Sequence, residues 1–505
     1  MKNRVIIFDT TLRDGEQAAG TRLGPQEKLK IARQLERLGV DVMEVGFPAS
    51  SPGDFEAVQA IGKEIHQPII CALTRCRSED IEIAGKALKG VSKSRIHTGL
   101  GVSDIHIESK LRKTRTEVLK MAVQSVKLAR KFAKEVEFYA EDAGRAEPGF
   151  LLEMVEAVIE AGAKIINIPD TTGYTMPEQF ASLIQKVSEE VPNIGQAIIS
   201  VHCHNDLGLA VANSLAGVKA GARQAECTIN GVGERAGNAS LEEIVMALKV
   251  RSDYFGFSTG IKTVELYRTS KLVSHLLGIS VPPNKAIVGR NAFAHSTGIH
   301  VDGFLKDRKT YEIMKPEEVG VQQSDVVLTA RSGRHALKHR LEKLGYKLKG
   351  EKLSQVYERF ITVADRKQEV FDEDLEAIVE DEITTTSKTY ILEYFNIVSG
   401  NKTIPTATVS LKNGKQVFQE AACGDGPVDA AYKAIDKITK LKAKLVDYSL
   451  QAVTGGKDAL GEVHVKIAVG NKTVMGMGAS TDIIEASVKA YVNAVNRLLA
   501  KRKKV

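Results

Sequence analysis

The 505-residue sequence predicts an α/β chain. It starts with a (β/α)8 TIM barrel, continues into a mainly helical linker region, and ends in a C-terminal α+β domain built from two repeated β-rich/helix units. Two observations predict it. Through the first half, short β-branched or aromatic runs alternate with longer amphipathic runs, and the strand count closes at eight, the number in a closed parallel barrel of about 250 residues. Near the end, the chain repeats itself. A shift of 56 positions places Val409 on Val465, Gly414 on Gly470, Ala430 on Ala486, Lys433 on Lys489 and Ala434 on Ala490. An open doubly wound sheet uses the same strand–helix alternation. Eight units, with polar residues gathered at strand C-terminal ends, favour the barrel. The domains fall at 1–270, 271–385 and 386–505.

The strands are expected at Val5–Thr10, Val40–Phe47, Pro68–Leu73, Arg95–Leu100, Val136–Glu141, Lys164–Asp170, Ile198–His204 and Ala222–Ile229. Helical runs such as Pro25–Leu38, Thr116–Phe132 and Phe150–Ala161 lie between them. Residues 251–280 read as an exit helix. Residues 281–330 are irregular, with Pro282, Pro283 and Pro316, and hold the polar cluster AFAHSTGIHVDGF. Residues 334–366 are helical and highly charged, and the acidic run Asp372–Glu382 reads as a hinge. Each C-terminal copy reads as strands around a Gly turn, a Gly-rich loop (GDGPVDA, then GMGASTD) and a helix. Two such copies imply a small two-fold-symmetric domain. Its Lys466, His464 and Asp482 are scattered, which suits an interface or a ligand sensor better than an active site.

Composition removes several classes of function. Lys and Arg number 70 against 63 Asp and Glu, a net +7 too small for the chain length to suggest nucleic acid. No apolar run reaches the 18 or so residues of a membrane span. The opening MKNRVIIFDTTLRDGEQ lacks the long apolar core of a secretion signal. Five cysteines with no Cys-x-x-Cys pair fit a reducing compartment, so a cytoplasmic protein is expected.

Three motifs carry chemistry. In VHCHND, His202 and His204 stand two apart on an expected strand, so both imidazoles share one side. They suit a divalent metal, or they are interior histidines satisfied by hydrogen bonds. In FDTTLRDGEQAAG, Asp14 could complete a mixed N/O site for Mg²⁺, Mn²⁺ or Zn²⁺, and Arg13 offers a permanent planar cation; a plain loop ion pair is the alternative. In TINGVGERAGNASLEE, the glycines permit a tight backbone and Asn238 offers a neutral oxygen ligand. Ser240 and Glu243 are expected to form a capping box. The Gly-x-Gly-x-x-Ala spacing there falls in the last unit instead of the first, which argues against a dinucleotide site. Glu44, Arg75, His97, Glu141, Asp170 and Thr171 add a polar ring at one mouth, whereas buried polar groups at the opposite end are expected to be absent.

Together, DTTLRDGEQ, VHCHNDLGLA and NGVGERAGNASLEE resemble the acyl-CoA-dependent carboxylic-acid synthases of the DRE-TIM metallolyase superfamily, in its alpha-isopropylmalate synthase/homocitrate synthase branch. The likeness runs end to end through NIPDTTGY, NKAIVGRNAFAHSTGIH, TYEIMKPEEVG and the GDGPVDA repeat, which looks like a leucine-sensing module. The resemblance implies a divalent metal on Asp14, His202 and His204 with Asn238 in the set; Mn²⁺ comes first, Mg²⁺ and Zn²⁺ are alternatives, and K⁺ is an accessory activator. It implies Arg13, Glu141, His300 and Tyr311 as the catalytic group, and Arg13, Glu44, His97 and Thr171 against the substrate. It implies Claisen-type condensation of acetyl-CoA with 3-methyl-2-oxobutanoate, followed by thioester hydrolysis. It also implies leucine as effector and a homodimer. Pyruvate or 2-oxoglutarate as the acceptor, a hydroxyacyl-CoA lyase and a non-catalytic amino-acid sensor are the alternatives. The chain departs from commoner members: Ala18-Ala19 interrupts DGEQxPG, HTGLGV replaces HTFIAT, and FYAEDAG replaces FSPEDA.

Overall fold

The computed structural model describes residues 3–295, 300, 303–304, 306–321, 325–326, 328–365, 370, 372, 374–375, 378–379, 389–452, 461–470 and 472–502. The chain divides into two compact units, Met1–His295 with Asp307–Asp325, and Ser296–Lys306 with Val326–Val505. Much of the expected acidic hinge, and part of the AFAHSTGIHVDGF cluster, lie outside the described residues.

The first unit is the barrel. Its strands are β1 (Ile6–Asp9), β2 (Val42–Glu44), β3 (Ile69–Arg75), β4 (Ser94–Gly101), β5 (Glu135–Glu141), β6 (Ile165–Asp170), β7 (Ile198–Cys203) and β8 (Gln224–Cys227). They pair in chain order and β8 returns parallel to β1, closing the sheet. β1, β2, β6, β7 and β8 are shorter than expected. β2 ends at Glu44, although Val45 N–H and Gly46 C=O still bond to the β3 backbone. β7 ends at Cys203; His204 leaves the parallel ladder and bridges Asn238 in antiparallel fashion.

The helices form where the pattern asks for them. Pro25 opens Pro25–Leu38, Glu27 accepts the Gly24 N–H at 2.7 Å, and Gly39 closes the helix in the left-handed region. Leu29, Ile31, Ala32, Leu35 and Leu38 bury its inner face against the sheet. Outward-facing strand residues such as Ile7, Met43, Ile96, Phe138 and Val201 meet these helices in one continuous core.

Inward residues follow the period of two. At the floor beside β1–β3 they are apolar, where Phe8, Val42 and Cys71 pack with Ile6 and Ile69; above them β2 turns Glu44 inward. Beside β4–β8 they are polar, which corrects the expectation of polar groups at one mouth only. Arg95 is 2% exposed and donates to Glu137 and Gln224, both at 2.8 Å. Gln224 donates in turn to Glu137 at 2.6 Å and to Ser200 at 2.9 Å. The set is tolerated because its members satisfy one another.

In the second unit, helices Arg334–Lys343 and Glu351–Ala364 enclose Leu337, Leu341, Val356 and Phe360. The sequence repeat is real. Strands Ile391–Gly400, Thr403–Asn413 and Gln416–Cys423 form one antiparallel sheet followed by helix Pro427–Thr439. Strands Lys444–Ala452, Gly461–Val469 and Lys472–Ser480 form the second, followed by helix Ile483–Arg502. Both copies share one core, where Tyr432 and Tyr491 stack at 4.0 Å. The sheets leave Ile391, Tyr394, Val398, Ile404 and Val417 exposed. No helix among the described residues is long and apolar enough to cross a membrane.

Candidate active site

The site begins where β1 runs into its loop. Asp9 is buried and accepts the Thr11 N–H and hydroxyl at 3.0 and 2.9 Å. Thr10 donates its hydroxyl to Glu44 at 2.6 Å and accepts the Asp14 N–H at 3.2 Å. These bonds fix the loop that directs Arg13 and Asp14 inward. Arg13 then forks: Nε donates to Glu44 Oε2 at 2.6 Å and Nη1 to Asp14 Oδ2 at 2.9 Å. Burial works against the cation, but Glu44 and Asp14 hold Arg13 firmly protonated.

β7 brings the imidazoles to the same carboxylate. His202 Nε2 lies 3.6 Å from Asp14 Oδ2, and His204 Nε2 lies 3.8 Å from it. The His202 Nδ1 sits 2.9 Å from Glu226 Oε2, so that nitrogen donates and Nε2 is left free to ligate. Asn167 holds the other Glu226 oxygen at 2.7 Å. Burial pushes both histidines down to about 4, so both are neutral near pH 7. Burial would raise Asp14, but Arg13 and the two imidazoles hold it below the usual carboxylate range. Neutral imidazoles and an ionised carboxylate are the forms a divalent metal requires.

The donor set fits such an ion. Asp14 Oδ1 and Asn238 Oδ1 are buried without a hydrogen-bond partner among the described residues. A buried carboxylate oxygen left this way is costly unless something fills the gap. Asn238 reaches the site because the chain doubles back tightly: a Cβ at Gly237, whose φ is +90°, would lie 2.0 Å from the Gly231 carbonyl. The expected capping box does not form. Ser240 occupies the N-cap position, but its hydroxyl accepts from Lys285 at 2.5 Å, and Glu243 pairs with the same ammonium.

A cavity of about 580 Å³ opens above these groups. Arg13, Asp14, His97, Glu141, Thr171, His202 and His204 all line it. His97 Nδ1 sits 2.9 Å from Glu44 Oε1, and although burial opposes it, Glu226, Glu137 and Glu44 raise its pKa. Thr171 accepts the Asp142 N–H at 2.9 Å. Both Glu141 oxygens accept from Lys110, at 2.7 and 2.9 Å. Glu44 and Asn238 are buried behind the lining. Tyr311 is exposed beside His295, with ring centroids 6.5 Å apart, and lies outside the lining. His300 belongs to the second unit, and its side chain is exposed.

Glu226, Asn167 and Tyr139 escape a reading by motif. Each is signalled by strand alternation: Gln224 and Glu226 flank Ala225, while Glu137, Tyr139 and Glu141 fall on alternate positions.

A closed parallel barrel with this Asp–His–His rim defines the class, and the HMGL-like family model matches residues 4–273. The homocitrate synthase post-HMGL domain-like model matches 287–368, and the LeuA allosteric (dimerisation) domain matches 369–499. A 2-isopropylmalate synthase of Carboxydothermus hydrogenoformans is 58% identical, covering 98% of both chains. Those of Heliobacterium modesticaldum and Pelotomaculum thermopropionicum are each 56% identical and cover at least 98% of either chain. The chain belongs to the 2-isopropylmalate synthase family of enzymes.

Proposed function

We propose that the protein condenses acetyl-CoA with 3-methyl-2-oxobutanoate and hydrolyses the thioester, giving 2-isopropylmalate and CoA. The observation that carries this reading is the convergence of Asp14, His202 and His204 beside Arg13 on one cavity floor. Asp14, His202 and His204, with Asn238, would hold the divalent ion, Mn²⁺ before Mg²⁺ or Zn²⁺. Bound there, the ion supplies a Lewis acid for the keto oxygen of the oxo acid. Arg13 spends Nε on Glu44 and Nη1 on Asp14, and its remaining donors face charge that develops on that oxygen. Thr171 uses its oxygen to accept from Asp142 and keeps its hydroxyl proton to donate to the substrate carboxylate. His300 is the candidate base for a proton of the acetyl methyl, with Tyr311 as its candidate assistant. The carbanion forms a C–C bond to the keto carbon, whose oxygen gains a proton. Water then cleaves the thioester, and CoA leaves as the thiol. Glu141 contributes as a polar group on the cavity wall.

The C-terminal repeat is proposed to bind leucine as feedback inhibitor and to join a second copy of the chain, since its sheets expose apolar side chains. A cytoplasmic location fits the chemistry of the substrates. The test is thiol release from acetyl-CoA with each 2-oxo acid, with and without metal. Metal-dependent release with 3-methyl-2-oxobutanoate supports the reading. Release with pyruvate or 2-oxoglutarate alone moves the assignment to citramalate or homocitrate synthesis, and release with none of them refutes condensation.

A further inference from the structure

We propose that Tyr139 sets the length of the oxo-acid tail that the cavity accepts. The inference rests on the proposed function, in which a 2-oxo acid occupies this cavity. Gly99 on β4 and Tyr139 on β5 are register partners. A Cβ at Gly99 would lie 2.5 Å from two ring atoms of Tyr139 and 2.1 Å from its carbonyl oxygen. The ring therefore occupies the space that the glycine leaves. The small residue at position 99 and the ring at position 139 are thus a matched pair across the two strands.

The ring is held firmly. Its hydroxyl donates to the Thr74 carbonyl at 3.1 Å, and its ring makes a T-shaped contact with the His97 ring, with centroids 4.9 Å apart and planes at 82°. Tyr139, Gly99 and His97 line the cavity that Arg13 and His202 also line. Because the hydroxyl is engaged by backbone, what the ring offers a ligand is bulk. A fixed apolar wall discriminates by size, and one methylene in such a pocket shifts kcat/KM by roughly 10–200-fold.

The experiment compares kcat/KM for pyruvate, 2-oxobutanoate, 3-methyl-2-oxobutanoate and 4-methyl-2-oxopentanoate, read as thiol release by the full-length, metal-loaded protein. Tyr139→Phe keeps the wall and should leave the ranking within about twofold of wild type. Tyr139→Ser and Tyr139→Val remove it, and each should raise the ratio of the longest to the shortest acid at least tenfold. A change in overall rate with the ratio unmoved would mark a structural role only and overturn the proposal. The same ratio shift in Tyr139→Phe would overturn it too. Wild-type protein that turns over none of the four acids defeats the underlying reading, and the inference falls with it. Wild-type turnover with an unmoved ranking defeats the inference alone.

Discussion

Glu226→Gln changes one atom at a fully buried position, and the hydrogen bonds around that atom determine its effect. The carboxylate accepts from two donors, His202 Nδ1 at 2.9 Å and the Asn167 amide at 2.7 Å. A glutamine has one accepting end. With its oxygen toward Asn167, its NH₂ meets His202 Nδ1; the imidazole must then accept there and carry its proton on Nε2, the nitrogen facing Asp14. With its oxygen toward His202, its NH₂ opposes the Asn167 NH₂. The first arrangement blocks ligation and the second leaves two buried donors in conflict. Loss of such a partner typically weakens metal binding about 10–100-fold, or about 1.4–2.8 kcal/mol. Calorimetric titration of Mn²⁺ into metal-free wild-type and variant protein reads this directly, with circular dichroism confirming the fold. Equal affinities and equal thiol release would refute the reasoning, because His202 would then not depend on Glu226 for its tautomer.

The same geometry sets other outcomes. Arg13→Lys keeps a charge but loses the fork that spans Glu44 and Asp14; metal content should persist while kcat falls about 10²–10³-fold, and an unchanged rate removes the residue from the chemistry. His202 and His204 titrate near 4 in the folded chain against an ordinary 6.5. Between those values the unfolded chain binds more protons at each imidazole, which costs stability as pH falls, by up to about 1.4 kcal/mol per pH unit per imidazole. Asp9, Glu137, Glu226 and Glu242, pushed up to about 7 by burial, act in the opposite sense over much of that range. The imidazole part is therefore the difference between metal-free wild type and His204→Gln. Asp14, held below its ordinary 3.8, adds only at the acid end of that window. Urea midpoints of the two metal-free proteins across pH test this, and parallel profiles contradict it. Deleting residues 390–505 should abolish leucine inhibition; a truncated chain still inhibited by leucine places the effector elsewhere.

The barrel was legible because its helices are amphipathic and its strands are punctuated at even spacing. Pro25–Leu38 begins and ends where its proline and glycine say it should. The C-terminal repeat was legible as a repeat, because each copy carries its own turn and helix. The rim was legible because His202, His204, Asp14 and Arg13 cluster at strand ends. What surrounds them was not. Arg95, Glu137 and Gln224 lie on three strands far apart in sequence, and only closure of the sheet makes them partners. The position of Glu44 at a strand end suggests a group facing substrate, yet the structure surrounds it with Thr10, Arg13 and His97, all bonded to its two oxygens. Ser240 has the sequence of a cap, but a lysine 45 residues on takes its hydroxyl. In each case a local pattern is overruled by a partner that only the folded chain brings in.

The most direct test is the anomalous diffraction of crystals grown with Mn²⁺, recorded across its absorption edge. The account predicts one strong peak about 2.0–2.3 Å from an Asp14 oxygen and from Nε2 of His202 and His204. A fully loaded, active crystal whose peak lies away from these three side chains would contradict it.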